Sequence, residues 1–70
     1  MPQFLAKLAE CLDRPSVGAD CRFRETEGWS SLTAFSILVT LEQDFGRRMT
    51  VDELMGLETV GDLARACGIA

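Results

Sequence analysis

The segment from Leu32 to Phe45 constrains the fold more than any other part of this chain, because it has the longest helical periodicity. Its apolar side chains recur three and four residues apart, which is the spacing of one face of an α-helix and not the alternation of a strand. The members of this stripe are Ala34, Ile37, Leu38, Leu41 and Phe45. Gly46 follows directly and is typical of a helix stop. The sequence therefore predicts a bundle built around one central helix.

A first helix and a long loop are predicted before the central helix. Pro2 suits the first turn of a helix, and apolar residues at helical spacing continue to a predicted end near Asp13. From Arg14 to Ser30 this pattern stops, because proline, glycine and charged residues interrupt it. The strong apolar anchors in the loop are Val17, Phe23 and Trp29. A loop of this length is either functional or held down by its own aromatic side chains.

Two capping boxes predict two further helices after Gly46. Each box places a threonine three residues before a carboxylate. The pairs are Thr50 with Glu53 and Thr59 with Asp62. The first box predicts a short third helix, Val51–Met55, and the second predicts a last helix that ends before Gly68. We therefore expect an all-α, four-helix bundle with a long first loop and a short third helix, as a single domain over residues 1–70 with one core.

The composition argues against several classes of function. The chain contains no histidine and no tyrosine, which removes His-based nucleophile pairs and histidine metal ligands. Eleven acidic and seven basic residues give a net charge of −4, which repels nucleic-acid phosphates. Three cysteines without a C-x-x-C spacing indicate reduced thiols in a cytoplasmic protein and no metal site. Because no continuous apolar run follows Met1, we expect neither a signal peptide nor a membrane span.

The sequence GWSSL places two hydroxyls, Ser30 and Ser31, at the start of the central helix. A serine at this position ordinarily caps the helix, because its oxygen accepts a hydrogen bond from a free backbone N–H of the first turn. The start of a helix also stabilises anions, including a phosphoryl group esterified to a hydroxyl. The alternative to a pair of structural serines is therefore that Ser30 caps and Ser31 carries an attached group.

The central helix has more apolar surface than one core face requires. Leu32, Phe35 and Val39 lie beside the core stripe, and Glu42 continues their row. One interpretation is a helix that is buried on two sides of a small bundle. The other is a strip beside Ser31 on which a partner protein docks.

Two segments together resemble acyl carrier proteins. SSLTAFSILVTLEQDFG, residues 30–46, is similar without a gap to the family's Asp-Ser-Leu segment and the helix that ends in Phe-Gly. TVGDL, residues 59–63, resembles the start of the family's last helix, and the likeness covers nearly the whole chain. The resemblance implies that Ser31 receives 4′-phosphopantetheine from coenzyme A through a separate transferase that usually needs magnesium.

The resemblance also implies a role without catalysis. The thiol of the phosphopantetheine arm would hold an acyl group as a thioester and present it to an acyl ligase, an acyltransferase or a ketosynthase. We expect a free-standing monomer with a docking surface that includes Leu32, Phe35, Val39 and Glu42. Carriers of this family also shelter acyl chains among their helices. Here such shelter would involve core residues such as Ile37, Leu41 and Phe45.

The departures from the family pattern concern charge near the attachment point. Ser30 replaces the usual aspartate before the carried serine, and Thr33 and Ser36 replace acids early in the central helix. Phe35 stands where a smaller aliphatic side chain is common. We therefore expect a specialised carrier for a modified lipid, a polysaccharide or a secondary metabolite. Its docking should be more hydrophobic, and less sensitive to salt, than that of an acidic carrier.

Other functions stay open at this point. Ser30 in place of aspartate is compatible with a carrier-like bundle that is never modified and serves only as a protein-interaction module. An aminoacyl or peptidyl carrier is a further alternative, although Gly28 and Trp29 stand where peptidyl carriers have Gly-Gly. A small enzyme based on carboxylates or cysteine lacks any convergent pair of such residues in the sequence.

Overall fold

The computed structural model describes residues 2–69, and this part of the chain folds into four α-helices and one short 3-10 helix. The α-helices are α1 (Pro2–Cys11), α2 (Ser31–Phe45), α3 (Val51–Met55) and α4 (Val60–Ala66), and the 3-10 helix is Phe23–Glu25. The predicted all-α, four-helix architecture is confirmed. The predicted single domain over 1–70 includes Met1 and Ala70, which lie outside the described residues. Within the described range, no helix has the length and apolarity needed to cross a membrane.

The core lies where all four helices and the first loop meet. Its buried members are Phe4, Leu8, Leu12, Phe23, Ala34, Ile37, Leu41, Leu54, Val60, Leu63, Ala64 and Cys67. The α1–α2 contact includes the rings of Phe4 and Phe45, whose centroids are 5.3 Å apart in a tilted arrangement. Burial of these apolar side chains is the main stabilising contribution, because the hydrophobic effect scales with the apolar area removed from water.

The first helix ends earlier than predicted. Residues 2–11 form α1, whereas the periodicity predicted an end near Asp13. Asp13 has a φ of 56°, in the left-handed region, and Arg14 N–H donates to the Ala9 carbonyl oxygen at 2.9 Å. This bond closes the helix in the manner of a left-handed C-terminal cap. Leu12 remains buried although it lies beyond the helix, which is why the apolar pattern extends past the helical residues.

The loop between α1 and α2 is held by its aromatic side chains, as its sequence predicted. Phe23 is completely buried, and the Trp29 ring packs against it with centroids 5.8 Å apart. The 3-10 helix Phe23–Glu25 was not predicted, because three residues are too few to show a period. Trp29 immediately precedes Ser30, so this aromatic contact fixes the approach of the chain to α2.

The same loop is bonded to the start of α4. Val60 N–H donates to the Cys21 carbonyl oxygen at 2.9 Å, and Gly61 N–H donates to the Ala19 carbonyl oxygen at 2.7 Å. The Arg24 guanidinium also donates to the Leu57 carbonyl oxygen, through Nε at 3.1 Å and Nη2 at 2.7 Å. The first two bonds give partners to backbone carbonyls of the loop, and the Arg24 side chain gives one to the carbonyl of Leu57.

Both predicted capping boxes are present. In the first, Glu53 N–H donates to Thr50 Oγ1 at 3.1 Å, and Thr50 N–H donates to Glu53 Oε1 at 3.1 Å. Thr59 and Asp62 make the same reciprocal pair at 3.2 Å and 3.1 Å. Because each box satisfies two backbone donors at a helix start, it fixes α3 and α4 at the residues that the sequence indicated.

Candidate functional site

Ser30 is the N-cap of α2. Its backbone is extended, with φ −154° and ψ 175°, and its Oγ accepts a hydrogen bond from Thr33 N–H at 3.4 Å. The hydroxyl of Thr33 lies 3.5 Å from the same oxygen. The predicted capping function of Ser30 is therefore confirmed, and it leaves the neighbouring serine outside the cap.

Ser31 is the first residue of α2, and its side chain is exposed. Its position follows from the capping by Ser30, because the residue after an N-cap is the first to take helical geometry. At the other end of α2, Gly46 has a φ of 64° and Arg47 N–H donates to the Leu41 carbonyl oxygen at 3.0 Å, which confirms the predicted stop. Ser31 thus presents a primary hydroxyl to solvent at the start of the longest helix.

The electrostatic surroundings of Ser31 suit an attached phosphate. The first turn of α2 contains no acidic residue. The amides at a helix start have no partner within the helix, and the helix dipole places positive potential there. A phosphodiester on Ser31 Oγ would therefore meet favourable backbone dipoles and no carboxylate in that turn. The residues present fit a phosphate-linked group.

The strip beside Ser31 is strongly exposed near the helix start. Leu32 is 76% exposed and Phe35 is 64% exposed, whereas Val39 is half-buried and Glu42 is exposed. A helix buried on two sides would cover Leu32 and Phe35, so that interpretation is wrong for the first half of α2. Neighbouring large apolar side chains that are this strongly exposed are typical of an interaction surface.

Three of the four predicted strip residues meet in one surface groove between α2 and α3, with a volume of about 480 Å³. We call it the α2–α3 groove, and it is lined by Phe35, Leu38, Val39, Glu42, Arg48, Met49, Thr50 and Glu53. Leu32 is not among the lining residues. The sequence did not indicate the contribution of residues 48–53, because only the packing of α3 against α2 brings them beside the strip.

The acidic residues of this region are engaged within the chain. Glu42 Oε1 lies 3.5 Å from Arg48 Nε. Glu53 Oε1 accepts one hydrogen bond from the Thr50 N–H and one from the Thr50 hydroxyl, each at 3.1 Å. On α2, Asp44 Oδ2 lies 3.9 Å from Lys7 Nζ of α1. Each of these carboxylates therefore already has a donor or a cation near it.

Two titratable groups outside this region have shifted pKa values. Hydrogen bonds from the Thr59 backbone N–H and hydroxyl, helped by Arg65, lower the pKa of Asp62 below its ordinary value of 3.8. Burial raises the pKa of the Cys67 thiol above its ordinary value of 9.0, although Arg47 opposes this shift. Both residues serve the packing of α4, and neither lies near Ser31 in sequence.

A four-helix bundle with an exposed serine at the start of its longest helix, beside a groove lined by apolar and charged side chains, has the organisation expected of a carrier domain. The family model described as "Phosphopantetheine attachment site" matches residues 3–67. The chain belongs to this family, whose members carry covalently attached 4′-phosphopantetheine and are not catalytic themselves. No curated protein matches the chain at a significant level, and no solved structure does either.

Proposed function

We propose that Ser31 is the phosphopantetheine attachment point of an acyl carrier, and that residues 1–70 act as one carrier domain. The observation that carries this proposal is the division of roles at the start of α2. Ser30 makes the capping bond to Thr33 N–H, whereas the Ser31 hydroxyl is exposed and lies in a turn without acids. An enzyme can therefore reach Ser31 without disrupting the cap.

The attachment step uses the nucleophilic oxygen of Ser31. Ser31 Oγ would form the new bond to the phosphorus that carries the pantetheine part of coenzyme A, and its proton would pass to a base of the transferase. The pyrophosphate bond of coenzyme A would break, and 3′,5′-ADP would leave. The free amides of the first turn of α2 stabilise the negative phosphodiester that results. When attached, the prosthetic group supplies a flexible arm that ends in a thiol, on which an acyl cargo is held as a thioester. The chain supplies a rigid base for the arm and leaves catalysis to partner enzymes.

The proposed partners are a phosphopantetheinyl transferase and an acyl ligase, acyltransferase or ketosynthase in the cytoplasm. We propose Leu32, Phe35, Val39 and Glu42 as the residues that contact them. The exposure of Leu32 and Phe35 supports this role, because both lie within one turn and a half of Ser31. The absence of acids from the first turn of α2 supports a specialised pathway for a modified lipid, a polysaccharide or a secondary metabolite.

Intact-mass measurement tests the attachment point. The purified chain is incubated with coenzyme A, magnesium and a broad-specificity phosphopantetheinyl transferase. We expect the wild-type chain and Ser30→Ala to gain one phosphopantetheinyl group, and Ser31→Ala to gain none. Circular dichroism of each variant confirms that it is folded before the mass is interpreted.

Two results would contradict the proposal. A mass gain that persists in Ser31→Ala would move the attachment point to another residue. A folded wild-type chain that gains no mass with several transferases would favour the unmodified interaction module.

A further inference from the structure

One side of α1 is apolar and points away from α2. Lys7 marks the side that faces α2, because its Nζ lies 3.9 Å from Asp44 Oδ2. Leu5 and Ala9 are each two residues from Lys7, which places them about 200° from it around the helix axis. The side of α1 that carries Leu5 and Ala9 is therefore turned away from α2.

The residues after α1 close this side into a groove of about 470 Å³, which we call the α1 groove. Arg14 N–H donates to the Ala9 carbonyl oxygen at 2.9 Å, and residues 14–17 line the groove together with α1. The apolar lining consists of Pro2, Leu5, Ala6, Ala9, Pro15 and Val17. Of these six, only Ala9 is buried, so apolar area of the groove remains in contact with water.

Two charged side chains, Glu10 and Arg14, also line the α1 groove. Both are exposed, and neither takes part in the ion pairs that form within residues 2–69. The groove thus presents one carboxylate and one guanidinium that have no oppositely charged partner in the chain. The charges of its lining side chains sum to zero.

We propose that the α1 groove is the interface of a symmetric homodimer. A two-fold axis brings the same surface from both copies together, so that Glu10 of each copy faces Arg14 of the other. The interface then contains two ion pairs by symmetry, and the apolar lining of each copy covers that of the other. Charge favours a second copy over an acidic or a basic protein, because either of those would set one of the two charges against a like charge.

The homodimer leaves the proposed attachment point accessible. Neither Ser31 nor Phe35 lines the α1 groove, and the groove points away from α2. Each dimer therefore presents two Ser31 hydroxyls to other proteins. The proposal does not depend on the modification of Ser31, and it replaces the monomer that we expected from the sequence.

Sedimentation velocity tests the homodimer. A small interface with two exposed ion pairs predicts weak, reversible association, with a Kd between about 10 μM and about 1 mM. We expect the weight-average mass of the wild-type chain to rise from one chain mass toward two across this concentration range. The measurement is made in about 150 mM sodium chloride, which screens the repulsion between two negatively charged chains.

Charge reversal tests the contact between Glu10 and Arg14. Glu10→Arg and Arg14→Glu should each raise Kd about tenfold or more, because each change sets like charges against one another at both pairs. The two variants mixed in equal amounts should associate with a Kd within about threefold of the wild type, because opposite charges then meet at both pairs. Both positions are exposed, and circular dichroism confirms that each variant is folded.

Glu58→Arg is the matched control. Glu58 is exposed and lies outside the α1 groove, and its reversal makes the net charge less negative by the same amount as Glu10→Arg does. We expect the control to associate at least as tightly as the wild type, because a smaller net charge lowers the repulsion between two copies.

Three outcomes would overturn the homodimer. They are a wild-type chain that keeps one chain mass up to about 1 mM, single reversals that leave Kd unchanged, or a mixture that associates no better than its two components. Loading of Ser31 with phosphopantetheine is measured separately, so none of these outcomes contradicts the proposed function.

Discussion

Gly61 N–H donates to the carbonyl oxygen of Ala19 at 2.7 Å, and a Cβ at position 61 would lie 2.9 Å from that same oxygen. Glycine is therefore required where the first loop crosses the start of α4. The contact explains the glycine within TVGDL by packing and not by backbone conformation, since Gly61 lies inside the helix. It also connects α4 to the loop that leads into Ser30 and Ser31.

Gly61→Ala should lower the free energy of unfolding by about 1–3 kcal/mol, because the new methyl group must displace backbone and not a flexible side chain. Urea unfolding monitored by circular dichroism measures the change. Gly56→Ala is the matched control, because a Cβ there would lie at an ordinary 3.5 Å from the Glu53 carbonyl oxygen. We expect the control to be neutral or slightly stabilising. Equal effects at the two positions would contradict the steric explanation.

Ser30 should matter for the stability of the fold, and Ser31 for the attachment of phosphopantetheine. Ser30→Ala removes the oxygen that accepts from Thr33 N–H, so the free energy of unfolding should fall by about 0.5–1 kcal/mol. Ser31→Ala should change it by less than about 0.5 kcal/mol, because Ser31 is exposed and outside the cap. Thermal and urea unfolding of both variants measure these differences. A larger loss in Ser31→Ala than in Ser30→Ala would mean that the assignment of the cap is wrong.

The free energy of unfolding should depend on pH in part through the Asp62 carboxylate. Because its pKa is lowered in the folded state, the carboxylate stabilises the fold above the ordinary value of 3.8, and this contribution is lost as the pH falls through the lowered pKa. The difference in unfolding free energy between wild type and Asp62→Asn should therefore be largest near neutral pH. It should shrink on acidification below about pH 4. Parallel pH profiles for the two chains would contradict this role.

Cys67 should be the slowest thiol to react. It is 3% exposed, and burial raises its pKa, so little thiolate is present or reachable at neutral pH. Cys11 and Cys21 are both half-buried. We expect iodoacetamide to modify these two before Cys67 in the native chain, and all three at similar rates in urea. Peptide mapping by mass spectrometry distinguishes the sites, and early native labelling of Cys67 would contradict the packing.

The helix boundaries were largely predictable because their signals are local. The Thr50 and Thr59 boxes and the stop at Gly46 each involve side chains within a few residues of the bond they make. The end of α1 was predicted two residues late, since Leu12 stays apolar for the core after the helix has ended. The 3-10 helix was missed because Phe23 supplies only one apolar residue there.

The candidate site was predictable in part for the same reason. Ser30 as the cap and Ser31 beside it follow from neighbours in sequence, and so does the strip of Leu32, Phe35 and Val39. The second wall of the α2–α3 groove was not predictable. Met49 lines the same groove as Phe35 only because of the turn after Gly46 and the packing of α3 against α2.

The sequence by itself determined which segments are helical, where their caps lie, and which serine is left free at the start of α2, because hydrogen bonds over three or four residues decide these features. Only the tertiary structure decided that the first loop crosses Gly61, that Arg48 and Lys7 compensate the acids of α2, and that α3 closes a groove beside Phe35. These contacts join residues distant in the chain, and their geometry depends on how all the apolar faces pack into one core at once.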